Sequence, residues 1–285
     1  MSNGKVLYLC AGTQSSGSTL ISWCFLQRCD MNGVLDADND ILAEISPALG
    51  QPYVWYKTTI GCFRLAEMVE HYEDEGWEVR PLLIVRDVRD VWASVLKKPY
   101  VSNGMTAEDP PVRLRMRRFR EDWETFRRRG WPILRFESVL ESPREALLSA
   151  CEQLDLAWDE GMISWPKRQN QIADTRHGNP TFWNTRGGGL LDTLDQGRQK
   201  RRLPHLPADD LEWLQSEFRE FNAANGYPTC LEADEAQDDA SAYIIPFEAT
   251  RRYKWELRRK PVRWLFALLG IRDAKLDQRF LKRTG

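Results

Sequence analysis

Several features that would indicate other classes of protein are missing from this sequence. The formal net charge is −2 over 285 residues, so a global excess of basic charge is absent and nucleic acid is not an expected partner. The six cysteines contain no C-x-x-C pair, and no cluster of ligands calls for a metal, so we expect reduced cysteines and no metal cofactor. No apolar run approaches the length of a transmembrane helix. An ordinary globular chain remains, long enough for one large α/β domain.

The N-terminal stretch predicts a phosphate-binding loop. Residues 6–10 form a short apolar run typical of a buried strand, residues 12–19 are rich in glycine and hydroxyl groups, and a helix-compatible run begins at Leu20. A strand, a glycine-rich turn and a helix in this order direct unpaired amides at one point, where the helix dipole favours an anion. The candidate ligands of that anion are Gln14, Ser15, Ser16, Gly17, Ser18 and Thr19.

This loop differs from an ordinary Walker A sequence. The spacing from Gly12 through Gly17 to Thr19 fits G-x-x-x-x-G-K-[ST], but Ser18 stands where the lysine is expected. That lysine holds the β- and γ-phosphates of a nucleoside triphosphate. An ordinary ATPase, GTPase or kinase is therefore disfavoured, whereas a nucleotide with less charge at its 5′ end is compatible with the sequence.

Two later apolar runs also end in residues that can bind an anion. The run PYVWYKT predicts a second strand with Lys57 near its end, and RPLLIV predicts another strand that leads into Arg86. Because open α/β sheets bind ligands at the carboxyl ends of their strands, Lys57 is either a phosphate ligand or a snorkelling surface lysine. Ser94 follows Arg86 by two helical turns, so a phosphate could be held between guanidinium and hydroxyl.

Two polar stretches have less specific interpretations. Residues 30–48 are rich in Asp, Asn and Gly and predict a loop with a short helix near residues 41–45. Residues 113–129 carry apolar side chains at spacings of three and four opposite a basic face. That pattern favours a solvated amphipathic helix over a nucleic-acid-binding one.

The segments QSSGSTL (14–20) and VRDVRDVWASV (85–95) resemble the two cofactor signatures of sulfotransferases that use 3′-phosphoadenosine 5′-phosphosulfate (PAPS). The resemblance implies that residues 14–19 hold the 5′-phosphosulfate, and that Arg86 and Ser94 bind the 3′-phosphate. It also implies an α/β fold, in which helices flank a central parallel sheet and a P-loop-like phosphate-binding loop follows the first strand.

Two positions depart from the family pattern. Ser15 stands where family members carry a lysine or arginine that meets the leaving 5′-phosphate oxygen, and Thr59 replaces the histidine base of the K-T-H element. Lys57 matches the lysine of that element, so the resemblance assigns Lys57 and Ser18 to stabilising the leaving charge. A threonine cannot serve as a base near neutral pH, so the base is unassigned. His177, one of three histidines and the one in the glycine-rich stretch, is a candidate base, with a solvated histidine as the alternative.

The C-terminal third adds a candidate lid and a change of charge. Arg186, in a glycine-rich stretch, resembles the family's late R-K-G loop that covers the cofactor; a linker is the alternative. We expect a sulfotransferase-like domain over residues 1–230, an acidic linker over 231–250 and a basic amphipathic helical segment over 251–285. The last segment could pack on the domain, on a second copy or on an anionic membrane surface.

Together these features predict an enzyme that transfers a sulfuryl group from PAPS to a hydroxyl or amine and releases adenosine 3′,5′-bisphosphate. The expected acceptor is a small molecule, glycan or lipid-like compound. One alternative is a small-molecule kinase or NTPase with Asp87 as its magnesium ligand, and another is a nucleotide-binding protein without catalysis. The first strand begins close to the N-terminus and leaves no room for a signal peptide, so we expect a cytoplasmic protein, with membrane association as an alternative.

Overall fold

The computed structural model describes residues 6–37, 45, 51–60, 63–96, 110–168, 171–172, 189–198 and 206–228. Five parallel strands form one sheet in the order β2-β3-β1-β4-β5. The strands are β1 (Val6–Gly12), β2 (Met31–Ala37), β3 (Tyr53–Thr59), β4 (Glu78–Val85) and β5 (Ile133–Arg135). The α/β fold with a central parallel sheet that the sequence predicted is confirmed.

Helices cover both faces of this sheet. They are α1 (Ser18–Leu26), α2 (Leu65–Asp74), α3 (Val88–Leu96), α4 (Pro110–Arg129), α5 (Phe136–Glu141), α6 (Pro143–Gln153), α7 (Gly161–Ser164), α8 (Gly189–Arg198), α9 (Ala208–Glu217) and α10 (Arg219–Asn225). Leu7 and Leu9 of β1 belong to a core shared with α2, α3 and α4, whereas Tyr8 and Cys10 belong to a core shared with α1 and α6. Both faces of β1 are buried, which explains its continuous apolar run.

The prediction of a loop over residues 30–48 is wrong for the part that forms β2. Asn, Gly and Asp are depleted in strands, so local propensity gave no strand signal there. Packing explains the glycine: a Cβ on Gly33 would lie 1.8 Å from the carbonyl oxygen of Trp55 on the neighbouring strand. Close approach of two backbones thus requires Gly33 inside a strand that its composition conceals.

The register of the sheet gathers the candidate residues at one edge. Gly12 of β1 lies opposite Thr59 of β3 and opposite Ile84 of β4, so these three strands end side by side. The loop after β1, Lys57 and Arg86 therefore all lie at the carboxyl edge of the sheet. Parallel α/β sheets bind ligands at that edge.

Several arginines of the basic helix α4 pair with carboxylates of other helices. Arg113 pairs with Asp210 of α9 at 3.3 Å, and Arg120 pairs with Glu217 of the same helix at 2.6 Å. Several of its arginines are therefore engaged in packing helices together and are not simply solvated. The predicted linker 231–250 and basic segment 251–285 lie outside the described residues, and none of the helices in the described part of the chain is long and apolar enough to cross a bilayer.

Candidate functional site

The loop between β1 and α1 has the backbone of an anion cradle. Ser15 (φ 68°) and Gly17 (φ 86°) are both left-handed and flank Ser16, whose amide closes a turn onto the carbonyl of Thr13 at 3.1 Å. Alternation of left- and right-handed residues turns consecutive amides toward one concave side. Ser18 begins α1, and the first amides of a helix have no acceptor within the helix.

Hydroxyl groups inside this loop add further donors. Ser16 is fully buried and Thr13 is 4% exposed, and neither hydroxyl oxygen has a hydrogen-bond partner among the described residues. A buried hydroxyl without a partner is unfavourable, so both would gain from a ligand that accepts their protons. Ser18 is also buried, whereas Gln14 and Thr19 are partly exposed. This set of donors fits a phosphate group.

Phe136 ties the loop to the neighbouring strand end. A Cβ on Gly17 would lie 2.2 Å from the Phe136 ring, so only glycine fits there, and the left-handed φ favours glycine as well. The guanidinium of Arg86 lies over the same ring, 5.0 Å from its centroid. A cation near an aromatic face is attracted by the quadrupole of the ring, so Phe136 also helps to orient Arg86.

Arg86 and Ser94 meet at Ser15. Arg86 Nη1 donates to the Ser15 carbonyl oxygen at 3.0 Å, and the Ser94 hydroxyl donates to the Ser15 hydroxyl at 2.9 Å. Arg86 Nη2 also pairs with Asp90 Oδ2 at 3.1 Å. The eight-residue spacing from Arg86, just before α3, to Ser94 within α3 thus brings a cation and a hydroxyl to the edge of the loop. Sequence reasoning missed Asp90 and Phe136 as parts of this site. The partners of Phe136 are distant in the sequence, and Asp90 has two arginines within four residues that could pair with it.

Lys57 lies inside the protein near the end of β3. Its side chain is only 2% exposed, and Nζ lies 3.2 Å from the hydroxyl oxygen of Thr59. Lys57 therefore does not snorkel on the surface. Burial raises the pKa of the neighbouring Cys10 to about 12, and a hydrogen bond with Ser22 and the charge of Lys57 oppose that rise. A buried ammonium at this edge of the sheet can stabilise developing negative charge.

Two candidates cannot be placed in this site. Arg186, the predicted lid residue, and His177, the candidate base, both lie outside the described residues. Within the described ranges, no group of three or more His, Cys, Asp or Glu side chains could hold a metal ion.

Comparison with known proteins identifies the fold. No family model matches this sequence, and neither does any curated protein. The sulfotransferase domain from the Synechococcus PCC 7002 olefin synthase matches with a TM-score of 0.50 and 14% identity, over 80% of this chain and 97% of that domain. The sulfotransferase domain from the curacin biosynthetic pathway matches with a TM-score of 0.51 and 12% identity, over 79% and 98%. The chain therefore has the fold of these sulfotransferase domains.

Proposed function

We propose that this chain is a sulfotransferase that uses PAPS and moves its sulfuryl group to a hydroxyl or amine. The observation that carries the proposal is that Arg86 and Ser94 both contact Ser15, a residue of the loop between β1 and α1. One set of donors is the loop, and the other is a guanidinium with a hydroxyl. Two neighbouring anion sites suit a nucleotide that carries phosphate at both its 5′ and 3′ positions.

The donor groups have separate roles in this proposal. PAPS supplies an activated sulfuryl group and releases adenosine 3′,5′-bisphosphate. The loop amides and the hydroxyls of Ser16, Ser18 and Thr19 donate to the 5′-phosphate side, and the ammonium of Lys57 provides positive charge there. Donors that are already fixed in position stabilise a leaving group without reorganising during the reaction. Arg86 and Ser94 provide the second anion site.

The contacts of Asp87 weigh against a kinase or NTPase. Asp87 is the candidate magnesium ligand of that alternative, but Arg89 engages both of its carboxylate oxygens, and Oδ1 also accepts from the Arg89 amide at 2.9 Å. A carboxylate paired in this way caps α3 and is compensated by a cation. Together with the serine at the Walker lysine position, this supports a nucleotide that needs no magnesium.

The proposal extends to the predicted acceptor and location. The acceptor is a small molecule, a glycan or a lipid-like compound, and the protein acts in the cytoplasm. Segment 251–285 provides contact with a membrane surface or with a second copy. A nucleotide-binding protein that lacks catalysis is the competing function, since Ser15 and Thr59 replace the basic residues of the family.

Calorimetric titration of the purified protein with adenosine 3′,5′-bisphosphate, 5′-AMP and MgATP tests the proposal. We expect micromolar binding of the bisphosphate and much weaker binding of 5′-AMP. Preference for MgATP, or no binding of any of the three, would contradict a PAPS site. Binding of the bisphosphate without sulfated product from PAPS across a broad panel of phenols, alcohols, amines and glycans would favour the non-catalytic alternative.

A further inference from the structure

Glu137 is a buried carboxylate whose two oxygens are both hydrogen-bonded. The Asp87 amide donates to Oε1 at 3.0 Å, and the Tyr227 hydroxyl donates to Oε2 at 2.7 Å. Glu137 is only 8% exposed, and a buried charge without donors would be costly. These two bonds join chain segments that lie 50 and 90 residues apart in the sequence. Glu137 thus links the end of the described chain to the turn after β4.

The amide that Glu137 binds belongs to the residue that follows Arg86. Asp87 directly precedes α3, and its side chain accepts a hydrogen bond from the amide of Arg89 at 2.9 Å. Glu137 therefore adds a second carboxylate at the positive end of the α3 dipole, where negative charge is favoured. Glu137 thus holds the amide of the peptide that joins Arg86 to Asp87, and the Ser15 carbonyl holds the far end of the Arg86 side chain.

Tyr227 is itself held firmly enough to fix Glu137. Tyr227 follows α10, and its amide donates to the Asn222 carbonyl oxygen at 2.9 Å. Its ring stacks with the ring of Phe221, with 5.8 Å between the two centroids. The guanidinium of Arg135 lies 5.1 Å from the centroid of the Tyr227 ring. Burial first, and then the charge of Glu137, raise the pKa of Tyr227, so its hydroxyl keeps the proton that it donates.

We infer that Glu137 and Tyr227 are positioning residues that aim Arg86 at the loop and thereby set the affinity for the second phosphate of the nucleotide. The identity of that nucleotide rests on the proposed function. Neither residue needs to touch the ligand, because the hydrogen bond from Asp87 to Glu137 fixes the backbone from which the Arg86 side chain extends. Tyr227, which follows α10, thus connects the last described part of the chain to the site, far in sequence from the loop.

The test compares four variants of the full chain with the wild type. Tyr227→Phe removes only the donor to Glu137, Glu137→Ala removes the acceptor for the Asp87 amide, and Glu137→Gln keeps a carbonyl oxygen for that amide. Tyr72→Phe is the matched control, since it removes another buried phenol hydroxyl from the same side of the sheet. Two quantities are measured: the ratio of affinities for adenosine 3′,5′-bisphosphate and 5′-AMP by calorimetry, and the hydrogen-exchange rate of the Asp87 amide.

We expect Tyr227→Phe and Glu137→Ala to lower bisphosphate affinity about tenfold while 5′-AMP affinity changes less than about twofold, the scale for weakening one hydrogen bond to a charged group. The Asp87 amide should exchange faster in both, whereas Glu137→Gln and Tyr72→Phe should behave like the wild type. An unchanged affinity ratio in Tyr227→Phe, or a wild-type exchange rate at Asp87, would overturn the inference. If the wild type prefers neither nucleotide, the proposed function fails, and the exchange rate of Asp87 alone decides whether Glu137 and Tyr227 hold this turn.

Discussion

The hydroxyl of Ser94 lies 2.9 Å from the hydroxyl of Ser15, so the predicted second anion site directly contacts the predicted phosphate loop. In the resemblance to the sulfotransferase signature, Ser15 stands where a basic residue is expected. The side chain of Ser15 contacts Ser94 of α3, and its carbonyl oxygen accepts a hydrogen bond from Arg86. Ser15 joins the two halves of the site, and each half can be tested separately.

Replacing Ser94 with alanine should weaken anion binding at the proposed second site. A hydrogen bond to a charged group contributes about 1.5–3 kcal/mol, so we expect bisphosphate affinity to fall at least about tenfold. Titration of Ser94→Ala by calorimetry measures this effect. Ser149→Ala is the control, because it removes a serine hydroxyl that accepts from Gln153 on the exposed face of α6. Equal affinity in the two variants would remove Ser94 from the site.

Arg86 has a matched control elsewhere in the chain. Arg86 pairs with Asp90 and lies over Phe136. Arg129 likewise pairs with Glu70 and lies over Trp131. Arg129 precedes β5, however, and so lies at the opposite edge of the sheet from Arg86. We expect Arg86→Ala to lose most of the preference for adenosine 3′,5′-bisphosphate over 5′-AMP, by about tenfold or more. Arg129→Ala should keep that preference. Calorimetric titration of both variants with the two nucleotides measures this preference. The same loss of preference in both variants would mean a general effect of removing a stacked arginine.

Lys57 should affect turnover more than binding. Losing one electrostatic stabiliser of a leaving group lowers kcat about a hundredfold or more. With PAPS and an acceptor from the panel above, the Lys57→Met variant should therefore sulfate the acceptor and release adenosine 3′,5′-bisphosphate at that reduced rate. Lys167→Met is the control, because Lys167 donates to the Leu26 and Met31 carbonyls at the far end of α1. It should lower the free energy of unfolding and leave kcat unchanged. Normal turnover in Lys57→Met would exclude Lys57 from the mechanism.

Two glycines with the same backbone angle should respond differently to alanine. Gly17 and Gly76 both have φ 86°, but an added Cβ meets the Phe136 ring at 2.2 Å only at Gly17, and at Gly76 it meets nothing within 4 Å. Left-handed backbone alone costs an alanine about 1–2 kcal/mol, and overpacking adds roughly 1–3 kcal/mol. Urea unfolding should therefore show a larger loss for Gly17→Ala than for Gly76→Ala. Equal losses would mean that the Phe136 ring moves aside freely.

Asp122 should make stability depend on pH. Burial raises its pKa to about 7, although the Leu65 amide and Arg64 oppose that rise and Glu121 and Glu67 add to it. Because the folded pKa exceeds the unfolded one, the folded state binds the proton more tightly, and the resulting stability is fully present below pH 3.8 and lost as the pH rises through about 7.

Between pH 3.8 and about 7, the contribution of Asp122 to the free energy of unfolding falls by at most about 1.4 kcal/mol per pH unit. Asp122→Asn keeps an acceptor for the Leu65 amide but has no proton to lose. Denaturant unfolding at several pH values should show the wild type losing stability relative to this variant as the pH rises from 5 to 8. Parallel curves for the two proteins would mean that Asp122 does not titrate there.

Local sequence determined the parts of the site that depend on adjacent residues. The apolar run of β1, the hydroxyl-rich turn and the start of α1 are contiguous, so hydrophobic periodicity and turn chemistry were enough to predict the loop. The same holds for β4 leading into Arg86, and for the helical spacing to Ser94. By contrast, β2 was missed, because Gly33 is required by close packing against Trp55 and weakens the strand signal.

Only the tertiary structure decided which of these parts touch. The contact of Ser15 with Ser94 joins segments that are distant in the sequence, and so do the bonds of Glu137 to Asp87 and Tyr227. The burial of Lys57 likewise depends on the packing around it. Such pairs are set by strand order and helix packing, which periodicity within one segment cannot encode. The sequence by itself determined the loop and the type of donors at each strand end, and the parallel sheet brought those ends to one edge.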